Sequence, residues 1–151
     1  MRMIPSTGRR FIVCLGAALV LGASPLGCHR SLYDADKATR AYPESLHTTT
    51  VVDIQVFREG ESIELRNATA TTYRDFDLWI NQRWVRRVEV LRAGGTLRLS
   101  LWDFWDERGE TINAGGLFRT DVPTPVRLVE IQMAEDAPMV CLVAIRAEPA
   151  E

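Results

Sequence analysis

From position 51 onward, apolar and polar residues alternate along short segments of the chain. In the stretch SIELRN, Ile63 and Leu65 fall on one face and the intervening polar residues on the other. The stretch TLRLSL, residues 96–101, repeats this pattern with leucine at every second position. Because successive side chains of a β-strand point to opposite faces, the alternation predicts strands with one buried face.

The segments between these strands are rich in turn residues. Examples are Glu59-Gly60-Glu61, Ala93-Gly94-Gly95 and the segment 123–125, which contains two prolines. Short strands with a spacing of roughly 8–12 residues, and without a convincing amphipathic helix between them, predict an all-β sandwich. We place this domain at residues 48–147, followed by a tail at 148–151.

The stretch from Ile63 to Phe104 carries motifs that suggest a more specific fold. They are the Asn67-Ala68-Thr69 turn, the hairpin at 80–85 and Ala93-Gly94-Gly95-Thr96 before an apolar strand. Together they resemble immunoglobulin-like or fibronectin-like accessory domains on bacterial envelope proteins. The resemblance implies a single immunoglobulin-like β-sandwich of about seven strands and a role in interaction; it implies no active site.

The last predicted strand, MVCLVAI, is apolar at consecutive positions, so both of its faces need cover. One face of a sandwich strand usually meets water. We therefore expect a central strand whose outer face lies under a long loop such as residues 105–123. Docking of another subunit on that face is the alternative.

The N-terminus differs from the rest of the chain. Arg2, Arg9 and Arg10 precede the apolar run FIVCLGAALVLGA at 11–23. This run is shorter than the ~20 residues that a membrane-spanning helix needs. A basic start followed by a short apolar run is typical of a secretory signal peptide. A buried N-terminal helix is the alternative.

The sequence SPLGCHRS follows that run, and it resembles the lipobox of bacterial lipoproteins. The resemblance implies that the signal peptide is cleaved directly before Cys28. Leu26 and Gly27 would occupy the two positions before the cleavage site, and Cys28 would become the acylated first residue. The resemblance implies a signal peptide at 1–27 and a membrane anchor at Cys28. Because Pro25 stands where the family usually has an aliphatic residue, ordinary secretion with cleavage near Ala23 stays open.

The segment 28–47 is polar and has no apolar periodicity, which predicts a tether between membrane and domain. Removing residues 1–27 takes away three arginines and no acidic residue, so the net charge changes from −2 to −5. The acyl chains would therefore supply the anchoring, because a negative chain is not attracted to anionic lipid. A Cys28–Cys141 disulfide is the alternative to lipidation. The predicted location is the bacterial cell envelope, with the domain facing the periplasm or the exterior.

Catalytic, metal and nucleic-acid functions find little support in the sequence. The two histidines, His29 and His47, lie in the predicted tether, where packing would not hold a general base. The acidic stretch DFWDERGE, at 103–110, could attract Ca²⁺, but its spacing is not that of an EF-hand, and a solvated turn is expected. No basic run exceeds Arg86-Arg87, so nucleic acid is not an expected partner. We predict a protein without enzymatic activity, cofactor or metal.

The tryptophans are the strongest candidates for recognition, because all four fall between positions 79 and 105. With two neighbouring arginines they form the candidate patch Trp79, Trp84, Trp102, Trp105, Arg83 and Arg86. Tryptophan is enriched in binding hot spots and stacks on sugars and arginines. The alternative is that the rings cover the sandwich edge, with a bulge after Leu101 turning Trp102 inward. The leading prediction is an interaction or structural module with an envelope protein partner, and a carbohydrate-binding module is the alternative.

Overall fold

The structure is a computed structural model that describes residues 31–116 and 121–145. Within these ranges it consists of seven strands and three single-turn 3₁₀ helices, which confirms the predicted all-β fold. The strands are β1 (Val51–Glu59), β2 (Ser62–Asn67), β3 (Tyr73–Ile80), β4 (Trp84–Leu91), β5 (Thr96–Ser100), β6 (Val129–Gln132) and β7 (Val140–Ile145). The 3₁₀ helices are η1 (Ala35–Lys37), η2 (Glu44–Leu46) and η3 (Leu101–Asp103).

No helix in the described ranges is long and apolar enough to cross a bilayer. The predicted signal peptide and Cys28 lie outside the described residues.

All seven strands belong to one mixed sheet with the order β4-β3-β6-β7-β1-β2-β5. Every neighbouring pair is antiparallel except β1 and β7, which run parallel. Strand β1 therefore joins a group of three strands (β1, β2, β5) to a group of four (β7, β6, β3, β4). This arrangement is consistent with the predicted immunoglobulin-like sandwich, in which two antiparallel layers enclose one core.

The chain after β5 nearly closes the sheet. The Leu101 N–H donates to the Glu61 carbonyl at 2.9 Å, which keeps the start of η3 beside β2. Four residues later, Trp105 and Val85 of β4 exchange two backbone hydrogen bonds, at 3.0 and 3.2 Å. This segment therefore connects the two ends of the strand order and pairs backbone groups that an open sheet edge would leave exposed.

One hydrophobic core fills the space between the two groups of strands. It follows the predicted alternation: Ile63 and Leu65 of β2 are fully buried. Strands β1, β3 and β6 contribute fully buried side chains in the same way, namely Ile54, Phe76, Leu78, Ile80, Val129 and Ile131. Strand β5 fits less fully, since Leu99 is buried but Leu97 only partly.

The N-terminal segment differs from the free tether expected over residues 28–47. Its described part, from residue 31 onward, is hydrogen-bonded to the domain. We call residues 39–50 the strap. The Met139 N–H donates to the Leu46 carbonyl at 2.9 Å, and the Cys141 N–H donates to the Thr50 carbonyl at 2.7 Å. The strap thus lies along the start of β7.

At its start, the outer face of the last strand is covered by the strap and not by the loop that the sequence predicted. β7 is the central strand of the sheet, as predicted. Its inner-facing Leu142 enters the core. On the outer face, the Cys141 thiol donates to the Thr48 carbonyl at 3.1 Å, so the strap, and not the loop 105–123, covers this position. Farther along the outer face, Val143 and Ile145 remain exposed.

The turn after β2 depends on Asn67, which is buried. Its side-chain amide donates to the carbonyls of Thr71 (2.8 Å) and Arg92 (2.9 Å). Its Oδ1 accepts from the Thr69 N–H (3.0 Å) and hydroxyl (2.7 Å). The predicted role of the Asn-Ala-Thr motif as turn chemistry is confirmed, and Asn67 also links this turn to the end of β4.

We expect Asn67→Ala to lower the free energy of unfolding by about 1–3 kcal/mol, because it leaves buried polar partners unsatisfied. Urea denaturation measures this change. Glu89→Ala, at an exposed position of β4, is the control and should stay within about 0.5 kcal/mol of the parent. Equal effects of the two substitutions would contradict the role assigned to Asn67.

Candidate functional site

The structure does not form the predicted tryptophan patch. Trp79 is fully buried, and Trp84 and Trp102 retain only 8% and 6% exposure. Trp105 alone of the four is partly exposed. Three of the four indoles therefore cannot present a face to a partner, and the recognition surface proposed from the sequence needs correction.

The local reason lies in η3. If the alternation of β5 continued past Leu101, Trp102 would point outward, but the 3₁₀ turn changes the phase, and both residues are buried. The Trp102 indole N–H donates to the Glu61 carboxylate at 2.6 Å. The turn thus performs the correction that a bulge was expected to make.

Trp79 and Trp84 do not pair across the hairpin either. The strand register places Trp79 opposite Val85, and Ile80 opposite Trp84. The two indoles therefore point to opposite faces of the sheet. Trp84 belongs to the main core, while Trp79 forms a second small cluster on the outer face with Val85 and Met139.

The two arginines of the predicted patch are engaged in ion pairs. Arg83 lies over the Trp84 ring, 4.7 Å from its centroid, and its guanidinium pairs with Asp106 at 2.7 Å and with Glu110. Arg86 pairs with Asp103 at 3.0 Å. These contacts hold the acidic segment 103–110 against β4.

Asp106 organises that acidic segment. Its Oδ1 accepts from the backbone N–H groups of Arg108 (2.9 Å) and Glu110 (2.8 Å), and its Oδ2 accepts from Arg83 at 2.9 Å. Burial opposes ionisation of Asp106, but these donors outweigh burial and lower its pKa. Arginine and backbone N–H groups already occupy both carboxylate oxygens. Asp106 therefore stabilises the loop, and its oxygens are poorly placed to coordinate Ca²⁺.

An open groove of about 490 Å³ has η1 and the start of the strap on one side and β4 on the other. Seven of its eleven lining residues are charged, and the lining includes Lys37, Arg40, Asp77, Arg86, Arg87 and Trp105. Two members of the predicted patch, Arg86 and Trp105, thus meet here, together with cations that the sequence analysis did not connect with them.

A second arrangement lies on the outer face of β3, β6 and β7, where the strap covers polar side chains. Glu130 of β6 is completely buried. Its carboxylate lies 2.7 Å from His47 Nδ1 and accepts from the Tyr42 hydroxyl at 2.9 and 3.1 Å. Burial, together with the charge of Glu130, raises the pKa of Tyr42 to about 12. Tyr42 therefore remains a hydrogen-bond donor to the carboxylate.

Cys141 lies beside this carboxylate, because Glu130 and Cys141 are directly opposite in the β6–β7 pair. Burial and the charge of Glu130 raise the pKa of the Cys141 thiol. Cys141 Sγ, one ring nitrogen of His47 and a Glu130 oxygen all lie within 4.8 Å of one another. Among the described residues, this is the one group of three or more histidine, cysteine or acidic side chains with metal-ligand spacing.

The sequence pattern did not predict this cluster, because the polar segment that contains His47 is typical of a free tether. One signal was present, since Glu130 is the single charged residue within the apolar stretch LVEIQM. A charge in the middle of such a strand needs a partner if it is buried. The sequence pattern, however, does not say which distant side chain supplies it.

Neighbouring Arg40 fixes the strap to the same face of the sheet. Its Nη2 lies 2.7 Å from Asp77 Oδ2 and 2.7 Å from Gln132 Oε1, and its guanidinium lies 4.9 Å from the Trp79 ring centroid. The Trp79 indole N–H donates to the same Gln132 oxygen at 3.1 Å. Strap and sheet therefore share one polar network.

We expect Asp106→Asn to destabilise the protein by about 1–3 kcal/mol at pH 7, because it weakens charge-assisted hydrogen bonds to a buried group. The native pKa of Asp106 lies below its unfolded value, so its ionised form stabilises the fold above the unfolded pKa, and this contribution is lost as the pH falls through the native pKa. The gap between variant and parent should therefore narrow below about pH 4. Denaturant unfolding at several pH values measures it.

The control for this experiment is Glu107→Gln, an exposed position in the same loop. It should leave stability and its pH dependence close to those of the parent. A constant gap between Asp106→Asn and the parent at all pH values would contradict the assigned role of the carboxylate.

Comparisons with known proteins add no relative from which a role could be transferred. No family model matches the chain, and neither the curated proteins nor the solved structures give a significant match. Proposals on function therefore rest on the residues of this chain alone.

Proposed function

We propose that the chain is a lipid-anchored module of the bacterial cell envelope that acts by binding or supporting another macromolecule and not by catalysis. The lipobox-like sequence Leu26-Gly27-Cys28 after an apolar leader supports the anchor. The membrane contact would be made by acyl chains on Cys28, and the domain would face the periplasm or the exterior.

The observation that carries this proposal is how soon after Cys28 the described chain joins the domain. Leu32 packs against the core, and its carbonyl accepts from the Thr111 N–H at 2.8 Å. The Asp34 N–H donates to the Gly109 carbonyl at 2.8 Å. Leu32 lies four positions after Cys28, and an extended chain covers at most about 14 Å over that distance. A lipid at Cys28 would thus hold the body next to the bilayer surface.

The groove between η1 and β4 is the surface that we assign to a partner. It combines the partly exposed Trp105 with Lys37 and Arg87, a mixture of aromatic and cationic groups that suits an interface. The 102–106 segment that forms one wall is fixed through Arg83 and Arg86, so the groove is preorganised. We favour an envelope protein as partner, because a sugar-binding platform of several indoles is not available. A glycan partner would have to rely on Trp105.

We expect Cys28→Ser to move the protein from the membrane fraction to the soluble fraction, because it removes the sulfur that would carry the lipid. Fractionation of a bacterial host and incorporation of a labelled palmitate analogue measure this. Cys14→Ser, within the apolar leader, is the matched control and should leave both readouts unchanged. Membrane association of the Cys28→Ser protein at the parental level would refute the anchor.

A photo-crosslinking amino acid at Lys37, on the groove, should capture a discrete envelope protein in intact cells. Capture should fall when Trp105→Ala is combined with it, since the indole supplies apolar contact area. The same amino acid at Thr96, an exposed position on β5, is the control. Equal capture from both positions would contradict the groove as the binding surface. Binding to a glycan array that Trp105→Ala abolishes would instead favour the sugar partner.

A further inference from the structure

The cluster of His47, Glu130 and Cys141 is not used by the proposed interaction surface. Strands β6 and β7 fix two of its members, since directly opposed residues of an antiparallel pair carry their side chains on the same face, with Cβ atoms about 4.5–5.5 Å apart. The strap adds the third. His47 follows η2, and hydrogen bonds from Thr48 to Met139 (2.6 Å) and from the Met139 N–H to Leu46 (2.9 Å) fix the strap on both sides of it.

The donor set is one imidazole nitrogen, one carboxylate oxygen and one sulfur. An ion pair between His47 and Glu130 would explain why the carboxylate can be buried. It would not explain why a thiol lies within 4.8 Å of both groups. Ca²⁺ and Mg²⁺ prefer oxygen ligands throughout, so one carboxylate among softer donors disfavours them. Zn²⁺ accepts all three ligand types, and three protein ligands with one open position form a known type of zinc site.

We propose that His47, Glu130 and Cys141 form a three-ligand binding site for Zn²⁺. Ligand atoms around a tetrahedral zinc ion lie roughly 3.3–3.8 Å apart, given metal–ligand distances of about 2.0–2.3 Å. The 2.7 Å contact between His47 Nδ1 and Glu130 Oε1 opens by part of an ångström on binding, and the sulfur moves inward. Binding displaces the proton of the Cys141 thiol to solvent.

The accessibility of the three ligands differs in a way that suits metal entry. Glu130 has no exposed side-chain surface, whereas the His47 side chain is 35% exposed. Zinc therefore enters past His47, and a water molecule completes the coordination on that side. The sheet holds the backbone of the two inner ligands, so the adjustment is limited to the Cys141 side chain and the strap.

Tyr42 lies beside the site, because its hydroxyl is 3.3 Å from His47 Nδ1. Its hydroxyl donates to both oxygens of Glu130, at 2.9 and 3.1 Å. Hydrogen bonds of this kind orient a ligating carboxylate and raise metal affinity. The apolar cluster of Trp79, Val85 and Met139 lies on the same outer face and packs against Tyr42.

Cobalt provides the direct test, because Co²⁺ replaces Zn²⁺ in such sites and a cobalt–thiolate bond absorbs in the near ultraviolet. The full-length chain is used with Cys14→Ser and Cys28→Ser, so that Cys141 is the sole thiol. We expect a charge-transfer band that saturates at one Co²⁺ per chain and disappears when one equivalent of Zn²⁺ is added. Absence of the band would overturn the proposal.

Substitution of the ligands assigns the site. Cys141→Ser should abolish the cobalt–thiolate band, and His47→Gln and Glu130→Gln should each weaken Zn²⁺ binding at least tenfold in competition with a chromogenic chelator. The controls are His29→Gln, which replaces the only other histidine, and Glu135→Gln, at an exposed position. Parental affinity in both His47→Gln and Glu130→Gln would overturn the proposal.

A stability measurement covers the case in which a ligand variant folds poorly. Zn²⁺ should raise the melting temperature of the parent in proportion to the logarithm of its concentration above the dissociation constant, and Mg²⁺ should not. His47→Gln, at the accessible position, should keep the metal-free melting temperature within a few degrees and lose most of the zinc-dependent rise. A zinc-dependent rise that survives in full in this variant would contradict the site.

Discussion

The structure depends on the burial of both faces of β6, and of the start of β7, at the centre of the sheet. The inner face supplies Ile131 and Leu142 to the core, while the outer face of β6 carries Glu130 and Gln132, both fully buried. A buried carboxylate without partners would cost several kcal/mol. The strap offsets this cost, because it brings Tyr42 and His47 to Glu130 and Arg40 to Gln132. It also pairs with the backbone before and at the start of β7.

The sequence pattern predicted much of the fold, because strand alternation reflects a local property of the chain. Ile63 and Leu65 lie in the core as their spacing required, and the two-sided apolar character of the last strand correctly indicated a central position. The covering segment could not be identified in the same way. Residues 39–50 show no apolar periodicity, since they cover the sheet through backbone hydrogen bonds and a few polar side chains.

The candidate sites were less predictable from the sequence, for two physical reasons. The 3₁₀ turn at Leu101–Asp103 changes which face a residue occupies, and this decides whether Trp102 meets solvent or the core. The second reason is distance along the chain, because His47 and Glu130 are 83 positions apart. A lone charge in an apolar strand signals that a partner exists, but only the folded topology selects it.

The parallel pairing of β1 with β7 has a mechanical consequence. The first and last strands along the chain lie side by side and point in the same direction. Gln55, Val56 and Phe57 are in register with Val143, Ala144 and Ile145. Tension applied between the beginning of β1 and the end of β7 would slide one strand along the other, loading this ladder in shear. Hydrogen bonds loaded together resist more strongly than hydrogen bonds opened one after another. A domain held at its N-terminal side and pulled at its C-terminal end would thus be loaded in the direction in which the β1–β7 hydrogen bonds resist separation together.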